Sequence, residues 1–559
     1  MDSKDYMLKK FLPRIEFDSY EDFKKNYSLN IPEHFNFAYD VIDEWAKAFP
    51  DKKALVWVND KDERRDLTFK DISILSNKTA NALKRLGVGK RDKVMLILKQ
   101  RIEVWTTLLA LHKLGAVAIP ASFQLTKKDI VYRCNSADVK MICAIGDDEN
   151  IKGHIIDSID ECKTLEKVCF CGGDIPEDER FFDYRAEIDK SEESLERIPN
   201  ENNDPMLMYF SSGTTGMPKM IVHYYDYPLG HIVTAKYWQH VEDGGLHMTY
   251  SDSGWAKFAW GKIYGQWICG AVIVAYDNDK FVPAHLLKTI NDLKLTTFCA
   301  PPTIYRFLIK EDLSTCDFST IKQCSIAGEP LNPEVFNKFY EATGLKVTEG
   351  FGQSETSVII ANFEWFPIKP GSTGKPSPLY DLEIVDENGN VCEDGVVGSI
   401  VIRNTDKKHP TGLFRGYWKD DEAMARSWQN GTYNTGDTAW RDSDGYLWFE
   451  GRNDDVIKCS GYRIGPFEVE SALLTHPSVL ECAVTAVPDP VRGQVVKATI
   501  VLARGYTPSE ELKKELQNHV KVTTAPYKYP RVVEFVKELP KTTSGKIKRA
   551  TIRKSDENK

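Results

Sequence analysis

The sequence predicts an α/β fold: a large N-terminal body of parallel-rich sheets flanked by helices, a small β unit, and a small α+β C-terminal domain. Two observations predict it. The first half of the 559-residue chain alternates helical periodicity with short apolar runs, which is typical of parallel sheets covered by helices. From about residue 370 the pattern changes to short alternating strands between turns rich in glycine and proline.

One helix and two strands illustrate the alternation in the first half. Apolar side chains recur at helical spacing in residues 70–87, and Gly87 supplies a C-cap. The runs VMLIL (94–98) and AVAIP (116–120) are predicted to be buried strands with a helical stretch between them. A strand–helix–strand order of this kind favours a parallel pair.

The C-terminal part of the chain is predicted to form a separate domain. Short antiparallel strands such as LEIVD (382–386) give way to a renewed alternation of helix and strand, and residues 509–521 place one apolar stripe on a charged helix. The boundary is predicted near Asp454. It divides the chain into residues 1–453 and residues 454–559, and the second part has a usual domain size.

Composition and charge exclude several classes of function. The formal net charge of −9 argues against nucleic-acid binding, which relies on basic patches. No run approaches the ~18 apolar residues that a membrane span needs, and the first residues, MDSKDYMLKK, lack the apolar core of a secretory signal. The 12 cysteines show no metal-ligand spacing, so we expect reduced thiols and a cytoplasmic protein.

The stretch YFSSGTTGMPKM (209–220) is a candidate phosphate-binding loop. Glycines let backbone N–H groups approach a ligand closely, the hydroxyl groups add donors, and Lys219 adds a positive charge. Read alone, it is equally a polar surface loop. It does not match the Walker P-loop, because Met217 follows Gly216 where that motif has lysine.

Four further stretches carry candidate ligand-binding residues. EGFGQSET (349–356) contains Glu355, a hard oxygen ligand suited to magnesium. YNTGDTAW (433–440) places Asp437 in a turn, where a carboxylate can accept both hydroxyls of a ribose. The other two stretches supply cations: EGRNDDVIKCSGYRIG brings Arg452 and Arg463, and LPKTTSGKIKR brings Lys546.

In this order the five stretches resemble the signature motifs of the AMP-forming adenylating enzymes, which are the acyl-CoA synthetases, the adenylation domains of peptide synthetases and the beetle luciferases. The resemblance extends from about residue 35 to residue 553 and is strongest to the medium-chain acyl-CoA synthetases. It implies a ligase that converts ATP, a small carboxylic acid and CoA into acyl-CoA, AMP and pyrophosphate through an acyl-adenylate, with Mg²⁺ as cofactor.

The resemblance also implies a role for individual residues. Lys546 would be the catalytic lysine between the carboxylate and the α-phosphate, Glu355 would hold Mg²⁺, Gly461 would line the pantetheine tunnel, and Asp454 would be the hinge of the C-terminal domain. The residues implied in binding ATP or AMP are Ser211, Ser212, Thr214, Thr215, Lys219, Gly328, Glu329, Pro330, Gly350, Phe351, Gly352, Gln353, Ser354, Asp437, Arg452 and Arg463.

The acyl pocket is predicted from an aromatic stretch and one glycine. Acetate-specific relatives have a tryptophan at Gly352, so we expect acids larger than acetate, of short or medium chain and with branched acids among the candidates. Lys257 either extends to the pocket mouth or narrows the pocket. The lining residues implied by the resemblance are Trp238, Trp255, Lys257, Trp260 and Gly352.

The aromatic stretch has a second interpretation. Trp260, Tyr264 and Trp267 are spaced as one face of a helix, which is also typical of an ordinary buried core.

Other functions remain open on the sequence. An adenylation enzyme that loads a carrier protein would share the first step, and a luciferase-like oxidation would need a specialised substrate. A catalytically silent nucleotide-binding regulator would not need the candidate residues Lys546, Glu355 and Asp437. The sequence leaves open the acid and the oligomeric state, including a homo-oligomer.

Overall fold

A computed structural model describes residues 3–211, 218–459, 462–490, 492–542 and 546–557 of the protein, and only the backbone at residues 458, 462, 463 and 557. The described β-strands are β1 Lys53–Asn59, β2 Arg64–Thr68, β3 Lys93–Ile97, β4 Val117–Pro120, β5 Val139–Ile145, β6 Lys167–Cys171, β7 Phe181–Asp183, β8 Pro205–Ser211, β9 Lys219–Tyr224, β10 Leu246–Thr249, β11 Val272–Asp277, β12 Thr297–Ala300, β13 Gln323–Ala327, β14 Val347–Phe351, β15 Ile360–Ala361, β16 Lys375–Pro376, β17 Leu382–Val385, β18 Gly398–Ile402, β19 Gly416–Tyr417, β20 Trp428–Gln429, β21 Thr432–Arg441, β22 Leu447–Arg452, β23 Ile457–Cys459, β24 Tyr462–Ile464, β25 Val479–Asp489, β26 Gly493–Leu502 and β27 Val532–Val536.

The described α-helices are α1 Leu8–Phe11, α2 Tyr20–Asn26, α3 Glu44–Ala48, α4 Phe69–Arg85, α5 Ile102–Leu114, α6 Lys127–Ala137, α7 Glu149–Ser158, α8 Tyr184–Asp189, α9 Tyr227–Ile232, α10 Lys257–Gly261, α11 Tyr264–Ile268, α12 Pro283–Leu293, α13 Pro302–Leu308, α14 Pro333–Thr343, α15 Asp421–Ser427, α16 Pro466–Leu474, α17 Glu510–Thr523 and α18 Arg549–Glu557. Two π-helical segments, Ala38–Asp43 and Val233–Trp238, adjoin α3 and α9.

The strands form two large sheets and two small ones. The nine-stranded sheet has the order β16-β15-β14-β13-β12-β10-β11-β1-β2, and the eight-stranded sheet has the order β19-β9-β8-β4-β3-β5-β6-β7. The central strands of both sheets run parallel. An antiparallel β unit joins β17, β18, β21, β20 and β22, and the C-terminal sheet joins β24, β23, β26, β25 and β27.

Helices cover both faces of the large sheets. One apolar cluster joins α4 and α5 to residues of both sheets, whereas separate clusters cover the outer faces. Neighbouring residues of β1 show the arrangement, because Leu55 enters the shared cluster and Val56 enters the outer one. The predicted α/β fold, with its parallel-rich body, small β unit and smaller α+β C-terminal part, is confirmed.

Two predicted helices are also confirmed. Helix α4 begins with a capping box, in which Thr68 and Asp71 each bind the other's backbone N–H group. Helix α17 buries Leu512, Leu516 and Val520 on one stripe, as its spacing predicts.

The single helical face predicted for Trp260, Tyr264 and Trp267 is wrong. The chain leaves helical geometry at Ile263, where φ is −155° and ψ is −71°, so the stretch is divided between α10 and α11. The side chain of Lys262 turns inward here and donates to the Gln100 amide oxygen. Tyr264 and Trp267 belong to the shared core, as the second interpretation predicts.

The predicted hinge lies in a short connection. Asp454 is exposed and stands between β22 of the β unit and β23 of the C-terminal sheet. The predicted boundary between residues 1–453 and 454–559 falls in this connection between β22 and β23, and the two domains stay a prediction.

Among the described residues, every helix is too short or too polar to traverse a lipid bilayer. All 12 cysteines lie in the described ranges, and no disulfide bond joins any of them there.

Candidate active site

The phosphate-loop candidate connects two antiparallel strands. Ser211 ends β8 and Lys219 begins β9, and the two residues are register partners, so the pairing holds both ends of the loop together. Ser212, Thr214 and Thr215, which were predicted to bind phosphate, lie outside the described residues.

Lys219, Tyr417 and Glu355 lie next to one another. The Lys219 ammonium is 4.8 Å from the centre of the Tyr417 ring, and the Tyr417 hydroxyl donates a 2.9 Å hydrogen bond to Glu355 Oε1. Burial raises the pKa of Glu355, while the Tyr417 hydroxyl and the charges of Arg452 and Lys219 favour its carboxylate form. This set brings a cation and a carboxylate to the edge of the candidate phosphate loop.

Glu355 is suited in chemistry to hold a magnesium ion, because a half-buried carboxylate oxygen is a hard ligand and a cation would offset its desolvation. Among the described residues, no group of three or more His, Cys, Asp or Glu side chains is arranged to hold a metal.

A buried histidine, His223, fixes the backbone at Ser354, the residue before Glu355. His223 Nε2 donates a 2.7 Å hydrogen bond to the carbonyl oxygen of Ser354. Burial lowers the pKa of His223 to about 3, so the ring is neutral, and it stacks on Tyr227 with 3.7 Å between ring centroids. The sequence interpretation missed His223 and Tyr417, because neither lies in a stretch that it singled out as a motif.

Asp437 joins the 349–356 motif to the β unit. Its side chain is 5% exposed, and its register partner across β21 and β22 is Arg452, whose Nη1 lies 3.4 Å from Oδ2. Gln353 Nε2 donates a 2.5 Å hydrogen bond to Oδ2. Burial raises the pKa of Asp437 to about 6, against the opposing effects of Arg452, Gln353 and Lys546.

The raised pKa of Asp437 predicts a pH dependence. Because Asp437 takes up a proton as the pH falls through about 6, we expect kcat/KM for ATP to decline from about pH 7 to about pH 5. A pH–rate profile measures this decline, and the Asp437→Asn variant should lack that limb. A wild-type profile that stays flat through pH 6 would contradict the prediction.

The candidate adenine site lies between a turn and an aromatic ring. Gly328 adopts φ +103° in the turn after β13, a conformation that favours glycine. Lys257 Nζ donates to the Ala327 carbonyl oxygen beneath this turn. Phe351 ends β14 and packs against Phe449 at 5.6 Å, and Glu329 lies 3.8 Å from Arg306.

Lys257 is a half-buried cation whose ammonium group donates to the backbone at Ala327. Burial lowers the pKa of Lys257 to about 8, with Cys299 and Glu329 acting in the opposite direction and Lys546 in the same one. Cys299, at the end of β12, is a neighbour of Lys257 that the sequence interpretation did not place in the site.

Two tryptophans fill the space beside the glycines of the motif. A Cβ atom built on Gly352 would lie 2.4 Å from the Trp260 ring, and one built on Gly350 would lie 2.5 Å from the Trp238 ring. The space beside Gly352 is therefore occupied by Trp260 instead of standing open. Trp260 Nε1 donates to the Thr356 carbonyl oxygen at 3.1 Å, and Trp255 is half-buried nearby in the chain.

Lys546 lies in the segment between β27 and α18. It is exposed, and its backbone exchanges hydrogen bonds with Thr542, at 2.7 Å from Thr542 N to Lys546 O and 3.1 Å from Lys546 N to Thr542 Oγ1. The side chain is near enough for its charge to lower the pKa of both Asp437 and Lys257. Gly461 lies outside the described residues, and so does the side chain of Arg463.

Comparison with known proteins gives the family. Residues 42–418 match the AMP-binding enzyme family, and residues 468–546 match the AMP-binding enzyme C-terminal domain. The mitochondrial acyl-coenzyme A synthetase ACSM3 of Homo sapiens is 42% identical over 550 residues, which are 97% of this chain and 93% of the relative. The mitochondrial acyl-coenzyme A synthetase ACSM4 of Homo sapiens is 41% identical over 533 residues, 94% of this chain and 91% of the relative.

Solved structures agree with these relatives. The anthranilate CoA ligase AuaEII in complex with anthranoyl-AMP superposes with a TM-score of 0.85 and 30% identity, covering 94% of this chain and 98% of its own. The Brucella canis acyl-CoA synthetase superposes with a TM-score of 0.73 and 29% identity, covering 97% and 99%. The resemblance found in the sequence is confirmed: this chain belongs to the AMP-binding enzyme family, the family of its acyl-coenzyme A synthetase relatives.

Proposed function

We propose that the protein is an AMP-forming acyl-CoA synthetase that converts ATP, a carboxylic acid and CoA into acyl-CoA, AMP and pyrophosphate through an acyl-adenylate. Two observations support the proposal: Gln353 donates a hydrogen bond to Asp437, and the charges of Glu355 and Lys546 both act on the pKa of Asp437. The hydrogen bond from Gln353 links the 349–356 motif to the 433–440 motif, which contains Asp437. Lys546, in the C-terminal part of the chain, lowers the pKa of Asp437 through its charge.

In the first step, a carboxylate oxygen attacks the α-phosphorus and pyrophosphate leaves. Both reactants are anions, so a preorganised cation lowers the barrier. Lys546 supplies that cation, while Asp437 and Arg452 hold the ribose and Phe351 stacks on the adenine.

The leaving pyrophosphate needs its own charge compensation. Lys219 lies at the start of β9 beside Tyr417, and the hydroxyl of Tyr417 holds Glu355. Glu355 would hold Mg²⁺, which would neutralise phosphate oxygens when bound. In our proposal the same phosphates accept hydrogen bonds from hydroxyl and backbone N–H groups of Ser211, Ser212, Thr214 and Thr215.

In the second step, the thiol of CoA attacks the acyl carbonyl and AMP leaves. One site that performs two unlike reactions needs a rearrangement between them. We assign the rearrangement to rotation of residues 454–559 about Asp454, which would withdraw Lys546 and bring Gly461 to the pantetheine tunnel.

The proposed acid is larger than acetate, of short or medium chain and with branched acids included. In our proposal the acyl pocket lies beside Trp260, which covers Gly352, and Trp238, which covers Gly350, with the half-buried Lys257 on the same helix as Trp260. These aromatic walls favour a compact apolar acyl group over a long straight chain.

The cysteines without disulfide bonds are consistent with a reducing compartment, and we propose the cytoplasm.

Pyrophosphate release with ATP and Mg²⁺ across a panel of straight, branched and aromatic carboxylic acids, with and without CoA, tests the function. We expect release to peak above acetate, with acyl-CoA formed when CoA is present. Release without acyl-CoA would indicate another acceptor, such as a carrier protein. ATP binding without release for any acid would favour the silent regulator.

Replacing Trp260 with leucine tests the acyl pocket. Removing the indole from beside Gly352 should admit about two further methylene groups, so kcat/KM for an eight-carbon acid relative to a four-carbon acid should rise about 10-fold. Trp448→Leu is the matched control, because Trp448 stacks on Trp440 outside the site. An unchanged acid profile in Trp260→Leu would exclude Trp260 from the pocket.

A further inference from the structure

The π-helical segment Val233–Trp238 carries one of the tryptophans of the proposed acyl pocket. Its wide turn is closed by the Gln239 N–H, which donates to the Thr234 carbonyl oxygen at 3.0 Å. Trp238 ends the segment and is fully buried, and its ring occupies the space beside Gly350. Short π-helical turns next to α-helices are frequent at functional sites. The position of this segment therefore fixes where the Trp238 ring stands.

The preceding residue, Tyr237, contacts a different part of the molecule. Its hydroxyl donates a 2.7 Å hydrogen bond to the carbonyl oxygen of Ile15, and its ring packs against Phe23 with 4.6 Å between ring centroids. The Trp238 ring instead meets Trp260 edge-on at 6.3 Å. One residue of the pair thus contacts the first part of the chain, and the other contacts a ring of the proposed acyl pocket.

The first part of the chain, residues 3–30, is held against the body of the protein, and we call it the N-terminal segment. The Trp365 indole N–H donates to the Phe17 carbonyl oxygen at 3.1 Å, and the Tyr20 hydroxyl donates to the Pro376 carbonyl oxygen at 2.8 Å. Several of its apolar side chains also enter the shared core. The N-terminal segment is therefore a fixed support for the π-helical segment.

Of the two polar contacts between these segments, the one made by Tyr237 is the stronger. Lys236 Nζ lies 3.2 Å from Glu16 Oε1, but Glu16 is exposed, and exposed ion pairs contribute little. Tyr237 is 3% exposed, and a buried hydrogen bond is costly to lose because the acceptor is left without its donor. Tyr237 is the residue to test.

We propose that Tyr237 is a positioning residue for Trp238, and that through the N-terminal segment it sets the size of the acid that the enzyme accepts. The inference rests on the proposed function in placing Trp238 at the acyl pocket. Tyr237 acts through the π-helical segment, without touching the acid. When its bond to Ile15 is lost, the segment can shift, and the Trp238 ring yields to a longer acyl chain.

The first test compares acids of different length. Tyr237→Phe keeps the ring and removes the hydrogen bond, so kcat/KM for an eight-carbon acid relative to a four-carbon acid should rise about 3- to 10-fold. KM for ATP should stay unchanged. A merely structural role would lower activity with both acids equally and leave their ratio as it is, which would overturn the inference.

Tyr6→Phe is the matched control. Tyr6 also joins the N-terminal segment to the body, by a 2.7 Å hydrogen bond to Glu44 Oε1, away from Trp238. It should leave the ratio unchanged, and an equal rise in this variant would contradict a specific role for Tyr237. If Tyr237→Phe fails to fold, Phe23→Leu, which loosens the ring contact instead, should show the same rise.

A double-mutant cycle tests whether Tyr237 acts through Trp238. Trp238→Leu should raise the same ratio by itself. In that background Tyr237→Phe should add no further rise, because the ring that it positions is gone. Additive effects would mean that Tyr237 acts by another route, and the inference would be wrong.

Hydrogen exchange measures the positioning without any substrate. Backbone amides of residues 233–241 should exchange faster in Tyr237→Phe than in the wild type or in Tyr6→Phe. Unchanged exchange would overturn the inference even if the acid ratio moved. Absence of pyrophosphate release by the wild type with every acid would instead refute the proposed function, and the exchange measurement would still decide whether Tyr237 holds the segment.

Discussion

Lys546→Ala should lose adenylation by about 100- to 1,000-fold, the usual cost of removing one preorganised charge or donor from a developing anion. Thioester formation from a supplied acyl-adenylate should continue at near wild-type rate, because in our proposal Lys546 has left the site by then. Pyrophosphate release measures the first half-reaction, and acyl-CoA formation from synthetic acyl-adenylate measures the second.

The neighbouring Lys548→Ala is the control for the adenylation step, since it also removes an exposed lysine from the same segment. An equal loss in both half-reactions of Lys546→Ala would contradict the separation of roles. Such a result would mean that Lys546 supports the site as a whole instead of acting in one step.

Asp437→Asn should reduce adenylation about 100-fold. The substitution keeps the shape of the side chain but removes the charge that strengthens two hydrogen bonds to a ribose, each worth about 1.5–3 kcal/mol. The fold should survive, because the Arg452 side chain is 38% exposed and water can solvate it. ATP affinity by calorimetry and the rate of pyrophosphate release measure the effect.

Asp442→Asn is the matched control for Asp437→Asn. Asp442 lies in the same β unit and holds Lys369 at 2.7 Å and the Tyr446 backbone N–H at 2.9 Å, away from the candidate site. It should cost stability without weakening ATP binding. Equal losses of ATP affinity in the two variants would indicate that Asp437 acts through folding alone.

Much of the fold and part of the site could be predicted from the sequence. The periodicity of α4 and α17 is local, so their buried faces follow from spacing within one helix. The family followed from five motifs in a fixed order. Asp437 and Lys546 were selected by motif. In the structure Gln353 donates to Asp437, and the charge of Lys546 lowers the pKa of Asp437.

The contacts that complete the site could not be predicted, because they join distant segments. Tyr417 reaches Glu355 across 62 residues, and His223 reaches Ser354 across 131. No local pattern in either partner indicates such a bond. Trp260 beside Gly352 is a similar case, since a glycine in a motif does not reveal which ring covers it.

The helix break at Ile263 shows a limit of periodicity itself. The spacing of Trp260, Tyr264 and Trp267 fits one helical face, and the break between α10 and α11 leaves that spacing in the sequence unchanged. The inward turn of Lys262 toward Gln100 depends on a partner 162 residues away.

Isotope transfer from the acid to AMP tests the proposed acyl-adenylate most directly. With a carboxylic acid labelled by ¹⁸O in both carboxylate oxygens, attack of one oxygen on the α-phosphorus makes it the bridging atom of the acyl-adenylate. Attack of CoA on the carbonyl carbon then leaves that oxygen on AMP. We predict one ¹⁸O atom in each AMP released, read by mass spectrometry. Unlabelled AMP, or ¹⁸O in inorganic phosphate with ADP as product, would contradict the proposed mechanism.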